Sequence, residues 1–200
     1  EKASVVAQSF RRFVHELRKQ DIFTLEALNK MTASSIEAIR KLPSYHIIIL
    51  ARNEMGRRAL YKLVSESHVN YYYRRPRIPK SLLAGLRENL IIGSACEAGE
   101  LFRALLEEKT EEEIATIVQF YDYLEIQPIG NNRFMIRDEK FPHIKNDEDL
   151  IAYNRRIVEL GDMYNKPVCA TCDVHFMDPE DEVYRRIIMA GKGFADADEQ

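Results

Sequence analysis

The sequence predicts an α/β fold in which short parallel strands alternate with amphipathic helices, preceded by a helical N-terminal segment. Beyond residue 44, brief apolar runs such as Ile47-Ile48-Ile49-Leu50-Ala51 alternate with stretches of helical periodicity. That is the pattern of βα units feeding a parallel sheet, open or closed into a barrel. The runs are continuously apolar, as strands buried on both faces should be. Four runs are visible, whereas a closed TIM-type barrel has eight strands, so four make an incomplete one.

Taken in order, residues 2–19 space Val5, Val6, Phe10, Phe13, Val14 and Leu17 three and four apart, which predicts an amphipathic helix. A shorter helix is expected from Thr24, an N-cap residue, through Leu28, and a further helical turn within 32–44. The main boundary falls near Pro43 and divides 1–43 from 44–200. The second part reads as strand 45–51, helices 55–67 and 79–86, strand 90–95, helices 97–107 and 111–121, strand 123–127, helix 147–164, strand 167–172 and helix 179–190. Residues 128–146, with Gly130, Asn131, Asn132 and Pro142, read as a long excursion carrying a short hairpin around Phe134-Met135-Ile136.

Two hundred residues with 46% hydrophobic and 30% charged content describe a folded globular chain. A net charge of -3 and a pI near 6.0 give no overall basic signature for nucleic acid, so DNA, if it is a partner, is not mainly gripped here. No apolar run approaches the roughly 20 residues a membrane span needs, and the start Glu1-Lys2-Ala3-Ser4 does not read as a signal peptide. The expected location is the cytoplasm, with no membrane partner. Three cysteines make no disulfide framework. The missing initial methionine and the charged end at Asp196-Ala197-Asp198-Glu199-Gln200 lead to the expectation of a piece of a larger chain.

Functional groups of parallel α/β folds gather at strand carboxyl ends, which ranks the candidates. Thr171-Cys172-Asp173-Val174-His175 closes the last strand. Asp173 and His175 are two apart and share a side on an extended backbone, so a carboxylate and an imidazole converge there as Zn, Mn or Fe ligands would. The alternative is that His175 caps a turn and Asp173 accepts backbone N–H groups. Cys169 and Cys172 form a C-x-x-C, but a structural zinc site needs a second ligand pair, and a redox pair belongs at a helix N-terminus. Strand parity turns Cys172 away from Asp173 and His175 and sets Cys169 one layer deeper on their face. Cys96, in Gly93-Ser94-Ala95-Cys96-Glu97, stands between a strand end and a helix start, a place that favours thiolate and metal ligation, although a lone cysteine is more often inert and buried. His46 opens the first strand and is by itself more typical of a satisfied core residue. Tyr71-Tyr72-Tyr73-Arg74-Arg75-Pro76-Arg77 mixes aromatics with cations, as nucleic-acid sites do and as Pro-stiffened exposed loops also do.

Six ordered segments carry a resemblance: Tyr45-His46 through Gly56, Leu60-Tyr61-Lys62-Leu63-Val64-Ser65, Tyr73-Arg74-Arg75-Pro76-Arg77-Ile78-Pro79, Gly93 through Glu100, Phe120 through Pro128, and Ala170 through Phe176. Together they resemble the polymerase and histidinol phosphatase (PHP) domain of C-family replicative polymerases, nearest to the PolC branch of bacterial DNA polymerase III alpha subunits. The resemblance implies a partial, distorted TIM-like barrel. It also implies a share in a centre where nine side chains hold up to three divalent ions, of which His46, Cys96, Asp173 and His175 match ligand positions. The other ligands, a His-x-His, an Asp/His segment and a Glu, have no counterpart here. An exonuclease inserted upstream would leave residues 1–43 as its exit, and Cys172 departs from the small or polar residue usual before Asp-x-His.

The resulting expectation is a metal-binding, structural part of a DNA-directed DNA polymerase, a nucleotidyltransferase, with the rest of that chain, DNA and other replisome subunits as partners. The alternative is a metal-dependent phosphoesterase or 3′–5′ proofreading exonuclease. Four ligands give at most one partial shell, so the chain alone is expected to lack polymerase activity. Any metal binding should be weak and should fade below about pH 6.5, the ordinary histidine value.

Overall fold

The computed structural model describes residues 42–194 together with Val14, His15, Arg18, Thr24 and Ala197. The chain divides into two compact units, Glu1–Ser44 and Tyr45–Gln200. The helices expected over 2–19 and 24–28 and the turn within 32–44 lie outside the described residues, isolated positions apart. The second unit carries the site.

There the first apolar run becomes strand β1 (Ile48–Ala51) and leads into helix α1 (Glu54–Val69). Asn53 starts the helix because its side-chain oxygen accepts the Gly56 N–H at 2.9 Å, and Glu54 complements the helix dipole. Helix α2 (Lys80–Leu86) and a 3₁₀ turn (Arg87–Asn89) bring the chain to strand β2 (Leu90–Gly93). β1 and β2 are antiparallel, with Ile48 opposite Gly93 and Ala51 opposite Leu90, which corrects the expectation of parallel strands for this pair. Two helices fill the connection instead of one, so the excursion closes on its own starting point. The Arg52 N–H donates to the Asn89 carbonyl at 3.0 Å, and Gly56 packs against the same carbonyl so closely that a Cβ would not fit. A strand that begins where its neighbour ended can pair with it only in reverse.

Helix α3 (Glu100–Leu106) and helix α4 (Glu111–Phe120) follow, the latter opened by a Thr110–Glu113 capping box. Strand β3 (Leu124–Ile126) joins β2 through a parallel bridge between Gly93 and Tyr123. The expected hairpin around Phe134-Met135-Ile136 is a 3₁₀ helix, Ile129–Ile136, that buries Asn132 and Met135. The period of three between those two positions suits a 3₁₀ turn and not a strand. Helix α5 (Asp147–Tyr164), opened by an Asn146–Asp149 capping box, is the single crossover between β3 and β4 (Val168–Ala170). That pair is parallel, Leu124 opposite Val168 and Ile126 opposite Ala170, as one crossover helix dictates. A 3₁₀ turn (Pro179–Asp181) and helix α6 (Glu182–Gly191) complete the described chain; α6 has no buried residue. Among the described residues the strands form two two-stranded ladders linked by one bridge, a mixed α/β arrangement without barrel closure.

The core lies between these strands and the helices, with Leu63 of α1, Leu90 and Ile92 of β2, Leu101 and Phe102 of α3, Val118 of α4, Leu124 of β3 and Leu160 of α5 among its buried members. No helix of the described residues is long and apolar enough to cross a membrane. α5 ends at Asn165, whose φ of 52° is left-handed. Because a β-branched residue pays roughly 1–2 kcal/mol there and glycine almost nothing, Asn165→Val should lower stability by about that amount and Asn165→Gly should leave it unchanged, as read by denaturant unfolding.

Candidate metal centre

The antiparallel β1–β2 pair decides how the site is assembled. His46 precedes β1 and Cys96 follows β2, so reversed strands put both at the same end of the ladder. The His46 N–H donates to the Ala98 carbonyl at 3.0 Å, and His46 bridges Gly99, which lays it along the loop that carries Cys96. The outcome is a contact of 3.3 Å between His46 Nδ1 and Cys96 Sγ. The Gly99 N–H donates to the Cys96 carbonyl at 2.8 Å and closes that loop tightly. Ala95 takes a left-handed φ of 60°, a conformation that costs a non-glycine residue energy and turns Cys96 out of the line of β2.

Cys96 does not have the thiolate character expected of it. Helix α3 begins at Glu100, four residues beyond, and burial pushes the thiol up to about 11 with further help from Glu97. The helix dipole fades within its first turn and does not compensate.

His46, Cys96 and Asp173 line one cleft of about 300 Å³ together with Glu125 and Gln127. Asp173 reaches it from the loop after β4, with a left-handed φ of 51°. β4 ends at Ala170 and Asp173 turns left-handed, so strand parity does not carry through to His175. Asp173 and His175 stay close to one another: the His175 Nδ1 lies 2.5 Å from the Asp173 carbonyl and 3.9 Å from its carboxylate, while of the two only Asp173 lines the cleft. Cys169 and Cys172 are free and exposed. Among the described residues no three histidine, cysteine or acidic side chains lie close enough to hold an ion as they stand. The donors present therefore fit one edge of a metal shell, a histidine–cysteine pair with a carboxylate across the cleft.

Sequence reasoning missed Glu125. It stands mid-β3, 5% exposed, with Oε1 accepting the Tyr123 hydroxyl at 2.8 Å and Oε2 accepting the Thr171 hydroxyl at 2.9 Å. Its backbone N–H donates to Ser94 Oγ at 2.9 Å, which ties β3 to the loop carrying Cys96. Burial and the Glu125 carboxylate raise the Tyr123 phenol well above its usual range, so it remains a donor. The signal was available: a carboxylate between Leu124 and Ile126 in an otherwise apolar strand must be hydrogen-bonded to be tolerated.

The family model described as PHP domain matches residues 5–129, more than half of the chain. The chain belongs to the PHP domain family. The matched span includes His46, Cys96 and Glu125 and ends before Asp173 and His175. Among relatives, the DNA polymerase III PolC-type of Clostridium perfringens is 53% identical over 198 residues, 99% of this chain and 13% of that protein. The PolC-type polymerase of Caldanaerobacter subterraneus is 48% identical over 200 residues, 100% of this chain and 14% of that protein. That of Bacillus subtilis is 43% identical over 170 residues, 85% of this chain and 12% of that protein. This PHP chain thus spans about 13% of the length of such relatives.

Proposed function

We propose that this chain is part of the PHP domain of a PolC-type DNA polymerase III, a cytoplasmic DNA-directed nucleotidyltransferase, and that it contributes metal ligands and structural support instead of polymerising chemistry. The replication half of this reading is supported by relatives bearing that name whose similarity takes in nearly all of the chain. Residues 44–200 are then the C-terminal part of the domain, their strands belonging to a distorted TIM-like barrel, and residues 1–43 the exit from an inserted exonuclease. DNA and other replisome subunits are partners of the longer polymerase.

The metal half rests on the His46–Cys96 contact of 3.3 Å in a cleft shared with Asp173. A mixed nitrogen, sulfur and oxygen set suits Zn, Mn or Fe. When bound, such an ion supplies fixed positive charge that cross-links the segments before β1, after β2 and after β4. His46 and Cys96 would hold it, with Asp173 and His175 supplied by the last loop. Cys96 must surrender the proton that burial keeps on it, so ligation there releases a proton and costs affinity. The multinuclear hydrolytic centre that the PHP resemblance implies needs more ligands than these four side chains supply.

Zinc or manganese titration of the 200-residue chain by calorimetry tests this reading. The expected result is at most one weakly held ion per chain, with affinity lowered roughly 10- to 100-fold by His46→Ala or Cys96→Ala. Three tightly held ions per chain, unaffected by His175→Ala, would sink the site assignment.

A further inference from the structure

We propose a second, metal-independent site on this chain: the loop from Tyr71 to Arg77 is a contact surface for single-stranded nucleic acid, with Tyr71 and Tyr72 stacking on bases and Arg74 and Arg75 holding phosphates. Four observations converge on it. The chain carries a net charge of -3, yet residues 67–87 contain five lysines and arginines and no acidic residue. Lys80 and Arg87 are engaged by Glu100 and Asp122, whereas Arg74 and Arg75 are exposed and have no ion-pair partner among the described residues.

The aromatics divide their labour in a similar way. Tyr73 is half-buried and carries the Arg74 and Arg77 guanidinium groups over its ring, each 5.5 Å from the centroid. Tyr71 and Tyr72 are 42% and 54% exposed and take part in no ring contact among the described residues.

The loop is also held in shape before any ligand arrives. The Tyr73 N–H donates to the Arg75 carbonyl at 3.1 Å, the Tyr72 hydroxyl donates to the Arg74 carbonyl at 3.2 Å, and Pro76 and Pro79 fix the backbone beyond. Arg74 itself sits at a left-handed φ of 63°. A pre-shaped loop loses little conformational freedom on binding, and planar aromatics beside arginines serve unpaired bases, whose π-faces are accessible, better than a duplex.

The surface is separate from the metal cleft and rests on the replication reading only in the choice of DNA as first probe. The test is fluorescence anisotropy of the full 200-residue chain with labelled single-stranded oligonucleotides, in EDTA and over a salt series. Tyr72→Ala should weaken binding roughly 5- to 150-fold, the range for losing one stacked base. Arg74→Gly with Arg75→Ser, which suits the left-handed backbone, should weaken it and flatten the salt slope by about 1.4, at about 0.7 per phosphate for single strands. Circular dichroism verifies that each variant is folded, and Arg75→Glu alone provides a second charge test. Absence of binding at low salt, equal affinity for duplex, tyrosine-independent binding to heparin, or a preference for phosphatidylserine vesicles would each overturn the assignment. Binding of single-stranded RNA but not DNA would keep this surface and count against the replication reading.

Discussion

Gly99→Ala is expected to lower the melting temperature of the chain by roughly 6–12 °C, corresponding to about 3 kcal/mol in a domain of this size. The cost is steric. Gly99 has an extended backbone, φ −73° and ψ 158°, that alanine adopts readily, so no torsional strain is involved. A Cβ there would run into the Ser94 carbonyl oxygen and come within 2.9 Å of the Cys96 carbonyl oxygen. Both obstacles are backbone atoms of a loop closed by the Gly99 N–H to Cys96 bond, and a backbone cannot rotate aside as a side-chain tip can. Relief requires the loop to open, which draws Cys96 away from His46, so zinc affinity should fall with stability. Gly56→Ala, which meets the Asn89 carbonyl far from the cleft, is the control: it should cost stability with little effect on metal binding. A Gly99→Ala protein melting within 2 °C of the parent would contradict this account.

Glu125→Ala is expected to cost about 3 kcal/mol by leaving the Tyr123 and Thr171 hydroxyls without their shared acceptor and opening a cavity in β3. Glu125→Gln keeps the shape and one acceptor and should cost about 1 kcal/mol. The discriminating measurement is a double-mutant cycle. Because an unsatisfied partner is costlier than an absent one, Tyr123→Phe on the Glu125→Ala background should cost less than it does alone. Strictly additive denaturant midpoints would show that the pair is not coupled and that Glu125 is held by something other than these hydroxyls.

Much of the element order was legible because it depends on local signals. The Asn146–Asp149 capping box and the 3.6-residue periodicity that follows it give α5 the bounds expected for it, 147–164. The helix expected at 97–107 begins only at Glu100, because Gly99 closes the turn on Cys96 before the helix can start. The expected hairpin failed because Phe134-Met135-Ile136 is a short apolar run, and such runs do not distinguish strand from 3₁₀ turn until a core is there to receive Met135. Cys96 and Asp173, singled out by their position at strand ends, both line the cleft. His175, expected beside Asp173 by strand parity, does lie 3.9 Å from its carboxylate, but through a loop in which β4 has stopped at Ala170 and Asp173 turns left-handed, not through an extended strand.

The sequence by itself determined the α/β class, the periodic helices and their caps, and the residue types available for metal, since these follow from side-chain chemistry and spacing of a few residues. Tertiary structure alone decided the direction of β1 against β2, because that depends on where the long excursion between Ala51 and Leu90 returns and not on any local preference. From that one reversal comes the meeting of His46 with Cys96, fifty residues apart. Tertiary structure likewise completed the role of Glu125, because Tyr123 is two residues away along its own segment whereas the Thr171 hydroxyl, forty-six residues on, reaches the carboxylate only once β3 and β4 pair.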